Sequence, residues 1–161
     1  MKILVTGNKG YIGSVLAPML IKKGYDVRGY DFGYFEECLL HPFEENYKHI
    51  RKDIRDIEKE DVEGVDAVIH LAGLSNDPLG DLAPGLTEEI NFQGTLKLAE
   101  YAKNAGVKRF IYSSSQSMYG ISKKGSELDE DNSEKNAITA YAKTKWEAEC
   151  ALMKIQSSNF K

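Results

Sequence analysis

Tyr141 and Lys145 stand four residues apart in the stretch from about Thr139 to Ile155, whose apolar pattern is helical. At that spacing both side chains leave one face of a helix. An ammonium beside a phenol favours the phenolate, the form a general base needs to take a proton from an alcohol. A nearby oxidised nicotinamide would add positive charge in the same sense. Ser115 closes an apolar run and could hydrogen-bond the alcohol oxygen, although serine clusters such as Ser113–Ser115 also form plain turns.

A second group lies at the other end of the chain. Gly7, Gly10 and Gly13 recur every third residue between the apolar run Ile3–Val5 and a helical pattern of Ile12, Val15, Leu16, Met19 and Leu20. A strand that turns through glycines into a helix leaves the first helical N–H groups, here around Tyr11 and Ile12, without partners. They form a seat for a phosphate. Gly7 permits the tight turn, Gly10 lets backbone approach a pyrophosphate, and Gly13 lets helix and strand pack closely. Asp31 follows about twenty residues later, where an acid takes a ribose 2′-hydroxyl and repels a 2′-phosphate. Together these residues predict NAD rather than NADP, although Arg28 lies close by in the same strand.

The totals narrow the classes open to the chain. Its 161 residues suit one domain, and 42% apolar with 29% charged residues describes a soluble globular protein. A net charge of −4 gives no case for nucleic acid or a membrane surface as partner. Cys38 and Cys150 make neither a disulfide framework nor a zinc site, and read as reduced thiols of a cytoplasmic protein. No apolar run reaches membrane-spanning length, and the start lacks the pattern of a secretion signal.

The elements that must position these residues alternate along the chain. Strands are predicted at Ile3–Val5, Val27–Asp31, Tyr47–Lys52, Val65–Leu71 and Arg109–Tyr112. Helices are predicted after the glycine turn, ending at Lys22-Lys23-Gly24, over Thr87–Asn104 and over Thr139–Ile155, with a short one at Phe35–Leu40. Ser75–Gly85, rich in Pro and Gly, reads as a loop that is irregular until near its end, and the polar segment Gln116–Asn136 also reads as a loop. The alternation predicts an α/β fold, a doubly wound parallel sheet in the order 3-2-1-4-5 with ligands at the carboxyl ends of the strands.

In order along the chain come Gly7/Gly10/Gly13, Asp31, Asp53-Ile54, His70-Leu71-Ala72-Gly73-Leu74, Asn91, Ser113-Ser114-Ser115, Tyr119-Gly120 and Tyr141-x-x-x-Lys145. This joint pattern resembles the extended short-chain dehydrogenase/reductase family, in its NAD-dependent nucleotide-sugar epimerase and dehydratase branch. The resemblance implies that Asp53 and Ile54 hold the adenine and that Leu71, Ala72 and Gly73 line the cofactor path. It implies that Asn91 supports the active-site helix and its water, and that Asn91, Tyr141 and Lys145 belong with the cofactor-binding residues. Ser115, Tyr141 and Lys145 match the catalytic Ser/Thr, the general base and its partner. His70 reads as a structural strand-end residue; His41 and His49 belong to no constellation, so no metal is expected.

Within that branch, sugar 4,6-dehydratases carry an Asp-Glu pair after the catalytic serine. Here Gln116 and Ser117 stand there and cannot exchange protons near neutral pH. UDP-glucose 4-epimerase is the closer functional model. The chain departs from it at Ser75, where that enzyme has a lysine, and in lacking a proline shortly before Tyr141. The implied partner is a UDP- or dTDP-linked sugar. Alternatives are a reductase or dehydrogenase of a sugar or other small alcohol, or a silent NAD-binding or dimerising fragment.

Full-length members of the family continue into a smaller substrate-binding domain, so residues 1–161 read as the NAD-binding part alone, with the outer edge of the fifth strand exposed. The helices at 87–104 and 139–155 match those that form a four-helix dimer interface in the family. Ala148, Leu152 and Ile155 would serve either that contact or the monomer's core.

Overall fold

The computed structural model describes residues 1–38, 46–75, 77–121 and 127–161. Five strands, β1 (Lys2–Thr6), β2 (Asp26–Tyr30), β3 (Lys48–Ile50), β4 (Ala67–His70) and β5 (Arg109–Tyr112), form one parallel sheet in the order β3-β2-β1-β4-β5. This is the predicted order. In register Ile3 lies beside Val27 and Ala67, and Thr6 beside Tyr30 and His70. The loops at the carboxyl ends of β1, β4 and β5 therefore face one crevice.

Alternation along the strands divides the core in two. Ile3, Val5, Val27 and Ala67 face helix α1 (Gly13–Lys22), whose Ala17 completes that layer. Leu4, Tyr30 and Val68 face the other way, toward α4 (Gly94–Asn104) and α5 (Ala140–Ile155), with Leu98, Ala99 and Ala102 of α4 fully buried. Each Val, Leu or Ile so taken from water contributes roughly 1.5–3 kcal/mol to this packing, and each Ala less.

Several expectations need correction. Helix α1 does not bury the periodic set read from the sequence: Ile12, Val15 and Met19 are exposed, and Gly13 and Ala17 meet the sheet instead. Small residues bring the helix axis close to β1, which turns the larger side chains outward. The stretch Ser75–Gly85 is not irregular throughout. It holds α2 (Asp77–Leu82) and α3 (Pro84–Glu88), each with a proline at its start, where the fixed φ and missing N–H suit a first helical turn. The long helix does not run evenly from Thr87: a π-turn at Glu89–Gln93 links α3 to α4. The expected short helix at Phe35–Leu40 is a 3-10 turn at Glu36–Cys38 as far as it is described; Leu39, Leu40 and His41 lie outside the described residues.

The outer edge of β5 is not bare either. The Lys161 amide donates to Lys108 O, and the Phe110 amide donates to Lys161 O, a parallel bridge that seats Phe160 in the core. Ala148 is fully buried, and the partly buried Leu152 and Ile155 pack against the monomer's core.

Candidate cofactor and active site

The glycine turn has the geometry that its spacing predicts. Gly7 takes φ +71°, and a Cβ there would lie 2.7 Å from the Ala72 amide nitrogen. A Cβ on Gly13 would lie 2.6 Å from Asn8 Cα and would run into Gly7 O. The Gly7 amide donates to Tyr30 O and the Gly10 amide to Gly7 O, closing the turn. Among the described residues the amides of Tyr11, Ile12 and Gly13 bond to nothing, and Tyr11 is 96% exposed. That leaves a set of open donors at the start of a ten-residue helix, the arrangement an anion needs.

Asp31 is brought to this turn. Its Oδ2 accepts from the Lys9 amide at 3.0 Å and its Oδ1 from the Gly33 amide at 2.7 Å. The Lys9 ammonium, buried beneath the turn, pairs with Glu36, which Arg51 also approaches at 3.6 Å. Those contacts hold the Glu36 carboxyl below the usual carboxylate range, the hydrogen bond from Lys9 first. The sequence did not single out Lys9 or Glu36; a lysine between two glycines of the turn was the available signal.

Asp53 and Ile54 are placed less simply. Asp53 caps a 3-10 turn at Ile54–Asp56, and Arg55 grips its carboxylate, Nε to Oδ1 at 3.0 Å and a terminal nitrogen to Oδ2 at 2.8 Å. This fork of hydrogen bonds keeps Asp53 ionised below its ordinary range. The Ile54 side chain is buried in the core against Gly94.

At the end of β4, the Leu71 amide bonds to Thr6 O, and Gly73 is exposed. A Cβ on Gly73 would come within 3.0 Å of Asn91 Oδ1. Asn91 lies where a support for the active-site helix is expected. Asn91 is buried in the π-turn; its Oδ1 accepts from the Leu74 amide at 2.8 Å, and its Nδ2 donates to Leu74 O at 2.9 Å and to Thr144 Oγ1 at 3.4 Å. Asn91 thus clamps the loop after β4 to α5.

Tyr141 and Lys145 lie in the first turns of α5, which Thr139 caps by accepting from the Ala142 amide at 3.1 Å. Lys145 is 8% exposed, its ammonium 4.1 Å from the centre of the Tyr112 ring. Among the described residues no oxygen accepts from it. Burial lowers its pKa to about 8, against a smaller opposing effect of Glu149. Burial pushes the Tyr112 phenol well up, with Tyr141 and Glu149 adding to it, so Tyr112 stays protonated and donates to Lys145 O at 3.4 Å. Ser115 caps the 3-10 turn Gln116–Tyr119, which packs on α5; its Oγ lies 2.8 Å from Ser117 Oγ and accepts from the Ser117 amide. Among the described residues no cluster of His, Cys, Asp or Glu could hold a metal.

The model of the NAD dependent epimerase/dehydratase family matches residues 3–160. The chain belongs to this family. It is 36% identical to a UDP-glucose 4-epimerase of Klebsiella pneumoniae over 129 residues, covering 74% of this chain and 93% of that protein. It is 33% identical to a mouse dTDP-D-glucose 4,6-dehydratase over 92% of this chain but only 44% of the dehydratase. Among solved structures, a UDP-N-acetylglucosamine 4-epimerase from Methanobrevibacter ruminantium superposes with a TM-score of 0.86 at 29% identity, over 98% of this chain and 51% of that one. The Thermus thermophilus UDP-glucose 4-epimerase in complex with NAD gives 0.84 at 27% identity, over 99% and 52%. The chain thus spans about half the length of most of these relatives. Among the described residues no helix is long and apolar enough to cross a membrane.

Proposed function

We propose that residues 1–161 are the NAD-binding part of a nucleotide-sugar epimerase. The observation that carries this reading is the Lys145 ammonium, buried above the ends of β4 and β5 with no oxygen acceptor among the described residues, on the same helix as Tyr141 and at the same sheet end as the open amides of the glycine turn. A buried ammonium stays in place only with a partner, and ribose hydroxyls supply one.

The chain fits NAD. The amides of Tyr11, Ile12 and Gly13 would take the pyrophosphate, with Gly7 and Gly10 leaving room for it. Asp31 would take the adenosine ribose, Asp53 and the Ile54 backbone the adenine, and Leu71, Ala72 and Gly73 the path between. When bound, NAD supplies a hydride acceptor and donor.

The chain's residues handle the proton. The Lys145 charge favours the Tyr141 phenolate, which removes the proton from a sugar hydroxyl; Ser115 holds the oxygen as the alcohol becomes a 4-keto group. Return of the proton by Tyr141 to the same oxygen would complete an inversion at that carbon. Gln116 and Ser117 offer no acid–base pair for loss of water, which favours epimerisation over dehydration. UDP- or dTDP-linked sugars are the proposed substrates and the cytoplasm the proposed setting, in agreement with two free cysteines. A homodimer along α4 and α5 would have to use their outward faces, where Met153 is exposed. The half-length match favours a second reading, a cofactor-binding module without turnover of its own. Adding UDP-glucose and NAD to the chain and following nicotinamide reduction tests the first: a hydride signal that Tyr141→Phe removes supports it, and NAD binding with no hydride transfer to any UDP- or dTDP-sugar favours the second.

A further inference from the structure

His70 closes β4 with its ring buried between the sheet and α4, and both ring nitrogens are engaged. The direction of every hydrogen bond around it follows from one hydroxyl. Thr95 Oγ1 donates to Asn91 O at 2.7 Å, which uses its single proton. At its 2.7 Å contact with His70 Nε2, Thr95 Oγ1 is therefore the acceptor, and Nε2 carries the hydrogen. Burial, with the Lys145 charge adding to it, lowers the His70 pKa to about 3, so the ring is neutral and Nδ1 is bare. Nδ1 accepts from Thr6 Oγ1 at 2.6 Å, and Thr6 Oγ1 accepts from the Ala72 amide at 3.3 Å. One chain of bonds results, Ala72 N–H to Thr6 to His70 to Thr95 to Asn91 O, with no donor used twice.

Its two ends matter. Thr6 immediately precedes Gly7, and Ala72 is the residue a Cβ on Gly7 would strike, so one end lies at the foot of the glycine turn. The other end is the π-turn, where Asn91 binds Leu74 and reaches Thr144 Oγ1, next in sequence to Lys145.

We propose that His70 is a positioning residue: held as its Nε2–H tautomer, it fixes the glycine turn relative to the helix that carries Tyr141 and Lys145. The proposal rests on the reading of this crevice as an NAD site. A histidine that merely fills space would lower the melting temperature when replaced, without changing cofactor affinity in the folded protein. A positioning histidine does change it, because the two halves of a bound dinucleotide meet the two ends of the relay.

The test uses the 161-residue protein labelled with 15N. The imidazole shifts of His70 are expected to show a neutral ring protonated at Nε2; an Nδ1–H tautomer or an imidazolium at neutral pH overturns the proposal whether or not NAD binds. Thr95→Val, which keeps shape and loses the hydroxyl, is expected to weaken NAD binding about three- to thirtyfold in folded protein. Thr95→Ser is expected to restore it. His70→Phe with Thr95→Val together should be no weaker than His70→Phe alone. Should Thr95→Val not fold, His70→Leu replaces it, since it can neither accept from Thr6 nor donate to Thr95, and the same weakening is expected. Failure of the wild-type chain to bind NAD would refute the cofactor reading; the relay is then judged by whether Thr95→Val shifts the Ala72 and Thr144 amides together. Wild-type affinity in Thr95→Val, or shifts confined to α4, contradicts the role proposed for His70.

Discussion

Lys145 and Tyr112 form a cation–ring contact, the ammonium 4.1 Å from the ring centre, and the same tyrosine returns a hydrogen bond to the Lys145 carbonyl. The contact keeps a lysine that is almost fully buried pointed at the ends of the strands, without neutralising it by a carboxylate. Tyr141 lies one turn earlier on the same helix.

Removing that phenol should show which step it serves. Tyr141→Phe is expected to slow sugar-dependent nicotinamide reduction on the order of a hundred- to ten-thousandfold, the usual worth of a positioned general base. NAD affinity, measured by calorimetry, should stay near that of the wild type. A variant that binds NAD poorly but turns over normally would assign Tyr141 to binding alone.

The Lys145 ammonium titrates near pH 8 in the folded chain and near its ordinary 10.5 when unfolded. Between these values the unfolded chain binds more protons, so stability rises with pH across that window. Binding that depends on the ammonium should instead weaken as pH passes about 8. Urea denaturation and NAD titration from pH 7 to 10 should therefore slope in opposite directions, and Lys145→Met should flatten both.

His70 sets the acid limb. Its folded pKa of about 3 lies below the ordinary 6.5, so folding loses stability as pH falls from about 6.5 toward 3, where the unfolded histidine is charged and the buried one is not. Denaturation midpoints at pH 7, 5.5 and 4.5 should fall in the wild type and fall less in His70→Gln.

Leu152 and Met153 separate core from surface on α5. Leu152→Ala should cost about 2–4 kcal/mol of stability, independent of protein concentration, because its side chain packs on the monomer's core. Met153→Ala, at an exposed position, should leave the denaturation midpoint almost unchanged.

Much of this was legible beforehand. The sheet order followed from alternating strands and helices, and β5 was read to the residue, because apolar runs bounded by glycine and polar turns leave little ambiguity. Gly7, Gly13 and Asp31 were found because their spacing mirrors a geometric need. What stayed hidden depended on partners distant in sequence. The outward turn of Val15 and Met19 follows from how closely Gly13 and Ala17 let α1 approach the sheet, which periodicity alone does not reveal. Pro78 and Pro84 read as breakers, although a proline in a first turn starts a helix. The π-turn that aims Asn91 inward, and the fork of Arg55 on Asp53, have no local signal at all.

The central claim is that the crevice at the carboxyl ends of these strands takes NAD, with its phosphates on the glycine turn and its far end toward Lys145. Amide and side-chain NMR spectra of the 161-residue chain during an NAD titration test it most directly. The account predicts saturable shifts at the Tyr11, Ile12 and Gly13 amides and at the Lys145 side chain together, with NADP binding more weakly because of Asp31. Saturable binding that leaves those amides and Lys145 unmoved, or NADP binding as tightly as NAD, would contradict it.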